Sequence, residues 1–167
     1  FGALLQAVSL QKTIVERGNM ECELIDYEPE FIRKDYSISP FKNKHPKAII
    51  KSALRIPDKI KRNSKFQAFR VENTVCSKQC QNEDDFQSIC NSFDEIIVGS
   101  DQVWNYNLTE HDMHYFLLEI DASVKKAAYA ASTGGADFSL KESNKMIQCL
   151  QEFRHISVRE SASKTAL

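Results

Sequence analysis

Two short apolar runs, Glu95-Ile96-Ile97-Val98 and Lys126-Ala127-Ala128-Tyr129-Ala130-Ala131-Ser132, each give way to glycine, Gly99 after the first and Gly134-Gly135 after the second. Runs this short and this poor in polar residues fit strands covered on both faces of a parallel sheet. Parallel neighbours need long crossovers, and the intervening sequence supplies helical patterns. Ala3, Ala7, Leu10 and Ile14 repeat over 3–17, Leu4, Val8 and Val15 widen that face, and Gly18 is a natural stop. Met20, Cys22 and Leu24 alternate with Glu21 and Glu23, which predicts a strand over 20–26. A short helix is expected over 84–92 through Phe86, Ile89 and Cys90. Ser139 with Glu142 forms a capping box for a helix to about residue 152, with Leu140, Ser143, Ile147, Leu150 and Met146 on its inner face. His155-Ile156-Ser157-Val158 is the next strand, and a helix begins at Ser161. The fold class is therefore α/β with a parallel sheet and helical crossovers.

The charge balance narrows the partners. The 167 residues carry a net charge of −1, which excludes nucleic-acid binding driven by overall charge. That balance hides an asymmetry. Residues 33–65 hold 11 of the 22 Lys and Arg residues, with only Asp35 and Asp58 against them. Ile49, Ile50, Ala53, Leu54 and Ile56 give this stretch an apolar stripe, so 33–70 reads as a basic helical excursion interrupted near Pro57, after an irregular segment punctuated by Pro29, Pro40 and Pro46. Its ordinary role is a solvated face; its functional role is contact with an anion or with an anionic membrane surface. Glu83, Asp84, Asp85, Asp94 and Glu95 form the acidic counterpart.

No apolar run reaches the ~20 residues of a membrane span, and the start lacks the basic residues of a signal peptide. Five cysteines, Cys22, Cys76, Cys80, Cys90 and Cys149, are an odd and dispersed set. They read as reduced thiols of a cytoplasmic protein rather than a secreted framework. Cys76, Cys80 and Cys90 with His111 and His114 sketch a zinc site, but the spacing lacks a second Cys pair; no metal is expected. Asn107-Leu108-Thr109 is a glycosylation sequon only in a secreted protein. The first helix has no strand before it, no initiator Met opens the chain, and Leu167 falls one turn into a helix. The expectation is an amino-terminal domain truncated at both ends, with a further domain absent.

In an open parallel sheet ligands bind beyond the carboxyl ends of the strands. That rule selects Gly2, the loop after Val98, the loop after Ala131, and Arg159-Glu160. The loop after Val98 reads Gly99-Ser100-Asp101-Gln102-Val103-Trp104-Asn105. Ser100, Asp101, Gln102 and Asn105 supply hydroxyl, carboxylate and amide groups suited to sugar hydroxyls. Trp104, the sole tryptophan, offers a flat face for a sugar ring; its alternative place is the core. Asp101 alternatively caps a following helix, and Asn105 shapes a turn. Ser132 and the glycines after it would let a ligand approach the backbone closely. Arg159 and Glu160 either pair with each other or meet a ligand. There is no GxGxxG, P-loop or GxSxG motif.

The run Phe93–Asn105, with GSDQVWN at its end, resembles the signature of bacterial polysaccharide pyruvyl transferases. Phe1-Gly2-Ala3-Leu4-Leu5-Gln6-Ala7, Tyr115-Phe116-Leu117, Ala128-Tyr129-Ala130-Ala131-Ser132 and Ile156-Ser157-Val158-Arg159-Glu160 match further blocks in order; Thr133-Gly134-Gly135 departs from the expected Ser-Phe-Gly. The resemblance implies a Rossmann-like three-layer domain, the amino-terminal half of a two-domain enzyme built like GT-B glycosyltransferases. It implies transfer of the enolpyruvyl group of phosphoenolpyruvate to two hydroxyls of a sugar, giving a pyruvate ketal in exopolysaccharide or cell-surface glycan synthesis. It implies no cofactor and places the phosphoenolpyruvate-binding arginines and a catalytic His in the absent second domain, so this fragment is expected to be inactive alone. The acceptor saccharide, lipid-linked or free, would meet Gly2, Ser100, Asp101, Gln102, Trp104, Asn105, Ser132, Arg159 and Glu160. Peripheral contact with the inner membrane face through 33–65 and a homodimer through uncovered apolar surface complete the expectations. The alternatives are a nucleotide-sugar glycosyltransferase-like domain and a non-catalytic saccharide-binding module.

Overall fold

A computed structural model describes residues 2–29, 32, 56–136, 138 and 144–167. Helix α1 (Gly2–Gly18) is followed by strand β1 (Leu24–Asp26), helix α2 (Ile56–Asn73), strand β2 (Cys76–Gln79), helix α3 (Glu83–Cys90) and strand β3 (Glu95–Gly99). A 3-10 turn (His114–Phe116), strand β4 (Lys125–Ala131), helix α4 (Asn144–Gln151), strand β5 (Phe153–Val158) and helix α5 (Ser161–Ala166) follow among the described residues. The architecture is α/β, with parallel strands in two sheets, consistent with a Rossmann-like three-layer domain. β1 pairs with β2, and β3, β4 and β5 lie side by side in chain order.

The expected strands at 95–98, 126–132 and 155–158 are all present, each within two residues of the expected bounds. Their burial differs from expectation. In β3, Ile96 and Val98 are buried, but Ile97 is 39% exposed; Tyr129 of β4 and Ile156 of β5 are 52% and 42% exposed. β3 alternates buried and exposed residues, as a strand covered mainly on one face does, whereas Lys126, Ala127 and Ala128 of β4 are buried in succession.

The core lies on the covered face. Val98, Ala128 and Ala131 meet Trp104, Phe116, Phe138, Phe153, Met146 and Leu150 in one apolar cluster. Trp104 stacks on Phe116 at 6.1 Å and meets Phe153 edge-on at 5.9 Å. Lys126 is 3% exposed, and its ammonium donates to the carbonyls of Leu117 (3.3 Å) and Ile120 (3.0 Å) and to the Glu152 carboxylate. A buried lysine thus satisfies the carbonyls that close the loop before β4.

β2 was not expected from its sequence, Cys-Ser-Lys-Gln, which has no apolar alternation. It is held from outside instead. The buried Gln11 side chain of α1 donates to Cys22 O (2.8 Å) and Val75 O (2.7 Å) and accepts from Val75 N (3.3 Å). Arg70 of α2 pairs with Asp26 at 2.6 Å. Of the expected strand 20–26, only Leu24–Asp26 is regular.

Pro57 is the second residue of α2. Its missing N–H falls where a helix has no acceptor for one. The rest of the basic stretch, 33–55, and the Ser139–Glu142 capping box lie outside the described residues. Asn82 caps α3 by accepting from Asp85 N at 2.9 Å, and Glu83, Asp84 and Asp85 in the first turn complement the helix dipole. Cys80 and Cys90 are buried in the core, and burial pushes the Cys90 thiol up to about 12. Among the described residues, no group of three or more His, Cys, Asp or Glu is placed to hold a metal, and no helix is long and apolar enough to cross a membrane.

The loop between β3 and β4 joins the two sheets. His114 Nε2 lies 2.8 Å from Glu83 Oε2, and its Nδ1 lies 2.5 Å from Asp112 Oδ1. Tyr27, just after β1, donates from its hydroxyl to Asp112 Oδ2 at 2.7 Å and stacks on the imidazole at 4.2 Å. Burial works against the imidazolium, but the Asp112 and Glu83 carboxylates outweigh it and raise His114 above its ordinary value. Asp112 is likewise held below the usual range, because hydrogen bonds from His114 and Tyr27 outweigh its burial.

Candidate functional site

The carboxyl ends of β3, β4 and β5 bring three loops together. Gly99 turns the chain out of β3 with φ +135°, and an added Cβ there would lie 2.0 Å from Tyr129 O of the adjacent strand. Only glycine permits that approach. The Gly99–Ser100 peptide is cis. The loop then lies over the end of β4: Ser132 N donates to Asp101 O (3.0 Å), and Trp104 N donates to Ser132 O (3.2 Å). No helix follows Asp101, so it caps none. Its Oδ1 accepts instead from Gln102 N at 2.8 Å.

The second loop backs onto the first. Asn105 Nδ2 donates to Gln102 Oε1 at 3.0 Å. A Cβ on Gly134, which has φ +58°, would sit 2.3 Å from Asn105 Nδ2 and 2.7 Å from Gln102 Oε1. The two amides therefore rest on glycine backbone. β4 reaches this point through a register shift against β5 between Ala128 and Ala131, where Ala130 takes φ +49°. Such a bulge re-aims the residues beyond it.

The third loop supplies a pin. Glu160 Oε1 accepts from Ser132 Oγ at 2.5 Å and from the Ser163 hydroxyl, and Oε2 accepts from Arg159 Nε at 3.3 Å. Ser163, fully buried, also accepts from Thr133 N at 3.0 Å. The Ser132 and Ser163 hydroxyls, with Arg159, hold the Glu160 carboxylate below its usual range. It is a fixed anion tying β4 to the start of α5.

These contacts sort the expected site residues. Asp101, Gln102, Asn105 and Arg159 are brought together with side chains part-exposed, and Arg159 Nη1 lies 3.9 Å from Asp101 Oδ1. Ser100 is 8% exposed, and its hydroxyl donates to Gln6 Oε1 at 3.4 Å. Gly2 is exposed, one helical turn before Gln6. Trp104 is not a platform. It is fully buried, and its indole N–H donates to Tyr115 O at 2.9 Å. No ring face is left for a sugar. Ser132 is 1% exposed, with its hydroxyl donating to Glu160 and accepting from Gly134 N (3.0 Å), so it positions the loop instead of meeting a ligand. Sequence reasoning missed Gln6 and Ser163. Gln6 lay within the amino-terminal block already singled out; nothing local marked Ser163.

The charges decide what suits this surface. Two carboxylates, Asp101 and Glu160, face one guanidinium, Arg159, which lies between them. Arg159, the cation of this cluster among the described residues, is already shared by two anions, which disfavours a ligand bearing both phosphate and carboxylate. It suits a neutral ligand rich in hydroxyls, which donate to carboxylate and amide oxygens and accept from amide N–H groups.

A family model described as polysaccharide pyruvyl transferase matches residues 1–167. No curated protein matches the chain, and no solved structure does.

Proposed function

The chain belongs to the polysaccharide pyruvyl transferase family, and from that premise we propose that its strand-end loops bind the acceptor saccharide of a ketal-forming transfer from phosphoenolpyruvate. One sugar hydroxyl oxygen bonds to the central carbon of the enol as the methylene carbon takes up a proton. A second hydroxyl oxygen bonds to the same carbon, and the bond from that carbon to the phosphate oxygen breaks. One hydroxyl proton balances the new methyl group, and the other leaves with inorganic phosphate.

The observation that carries this reading is the pairing of Arg159 with both Asp101 and Glu160. A dedicated site for phosphoenolpyruvate needs unshared cations. The part-exposed Asp101, Gln102 and Asn105 instead offer acceptors and donors for a diol, and Trp104, Ser132 and Glu160 hold them in place. Phosphoenolpyruvate would then meet cations from a further domain.

The test is donor dependence in the whole protein. Phosphate release from phosphoenolpyruvate that requires an acceptor glycan supports the reading. Transfer from a nucleotide sugar instead, or saccharide binding with no turnover of either donor, overturns it.

A further inference from the structure

Ser163 is fully buried in α5 and makes no hydrogen bond to Asp101, Gln102 or Asn105. Its hydroxyl has three neighbours instead. Thr133 N donates to it at 3.0 Å, Thr133 Oγ1 lies 3.0 Å away, and Glu160 Oε1 accepts from it. A hydroxyl carries one proton and two lone pairs. An ionised carboxylate can only accept, so the Ser163 proton points to Glu160 and the Thr133 hydroxyl donates to Ser163. The proton and both lone pairs of Ser163 are then used, and its bond to Glu160 has one orientation.

What that bond fixes lies nearer the proposed acceptor. Glu160 Oε1 takes the Ser132 and Ser163 hydroxyls, and Oε2 faces Arg159 Nε at 3.3 Å. The other end of the same guanidinium, Nη1, lies 3.9 Å from Asp101 Oδ1. That is close enough for attraction between charges and too far for a hydrogen bond. Among the described residues the Asp101 side chain has one hydrogen bond, from Gln102 N at 2.8 Å. Two part-exposed carboxylates thus compete for one cation, and the one pinned by two hydroxyls holds it. With Glu160 free to turn, Arg159 would be released to close on Asp101 and cover the oxygen that a sugar hydroxyl needs.

We propose that Ser163 is a positioning residue for acceptor binding: it fixes Glu160, Glu160 holds Arg159, and Asp101 stays open to a sugar hydroxyl. The inference rests on the acceptor reading of the strand-end loops, and its test separates the two. Backbone amide spectra of the 15N-labelled whole protein are recorded with the methyl glycosides of glucose, galactose and mannose. The parent is compared with Ser163→Ala, Glu160→Gln and the double variant. The expected result is sugar-dependent shifts at 101–105 in the parent, with affinity about five-fold weaker in each single variant. Glu160→Gln keeps the side-chain shape and removes the charge, so it carries the test even where Ser163→Ala does not fold. Because both changes act through one carboxylate, the double variant should bind no more weakly than Glu160→Gln alone. In Ser163→Ala the Glu160 carboxyl loses one of the hydroxyls that hold it low and should titrate at higher pH than in the parent.

Absence of shifts at 101–105 in the parent with all three glycosides would overturn the acceptor reading, and the role of Ser163 in acceptor binding with it. Three other results would overturn the positioning role and leave the acceptor reading standing. They are variants that bind the glycosides like the parent, losses that add in the double variant, and a Glu160 titration unmoved by Ser163→Ala.

Discussion

The Ser132 hydroxyl donates to the Glu160 carboxylate at 2.5 Å, joining the end of β4 to the turn after β5. The bond links two loops of the candidate site, and it favours the ionised carboxylate. A group with a depressed folded-state pKa contributes stability above its unfolded value and loses it as pH falls through the folded one. Glu160 should therefore titrate below its ordinary 4.5, which carboxyl-detected NMR would measure. Glu160→Gln should flatten the acid limb of the stability curve and leave the neutral-to-alkaline limb unchanged in shape.

Gly99 and Gly134 should separate folding from function. At Gly99 an alanine Cβ would meet the Tyr129 carbonyl oxygen of a paired strand at 2.0 Å, which backbone cannot yield cheaply. Gly99→Ala should cost about 3 kcal/mol or more. At Gly134 the obstructing atoms are the Asn105 and Gln102 side chains, which can move. Gly134→Ala should cost only about 1–2 kcal/mol, for the left-handed backbone, while dispersing the amide pair. Denaturant titration beside acceptor-dependent turnover checks both: Gly134→Ala loses turnover out of proportion to stability.

The strands and the site loops were legible because their signals are local. Ile96, Ile97 and Val98 form a continuous apolar run, and the polar residues from Ser100 to Asn105 follow it directly. β2 was illegible because Gln11, sixty-four residues away from Val75, supplies the hydrogen bonds that hold it. Trp104 was left between platform and core for a related reason: Phe116 and Phe153, which cover its ring, come from the loop ahead of β4 and from β5. Glu160 was visible as a strand-end residue; its fixed state was not, because it depends on Ser132 at the end of β4, twenty-eight residues away, together with Ser163 of α5.

The His114 cluster should make the protein more stable in mild acid than in alkali. Its raised pKa places the imidazolium contribution fully below 6.5 and removes it as pH climbs through the higher folded value. Asp112, depressed from 3.8, loses its own contribution only as pH falls below that range. His114→Gln should therefore cost about 2 kcal/mol near pH 5.5 and much less at pH 9. An equal loss at both pH values, by urea titration, would show that the ring acts by packing alone.

Asp101 is the part-exposed carboxylate proposed to meet the acceptor. The decisive measurement is steady-state phosphate release by the whole protein and its Asp101→Ala variant, with phosphoenolpyruvate and acceptor varied separately. Loss of hydrogen bonds to a charged group predicts a fall of about ten- to a hundred-fold in kcat/KM for the acceptor, with KM for phosphoenolpyruvate unchanged and the fold intact by circular dichroism. Unaltered acceptor kinetics, or a defect confined to phosphoenolpyruvate, would contradict it.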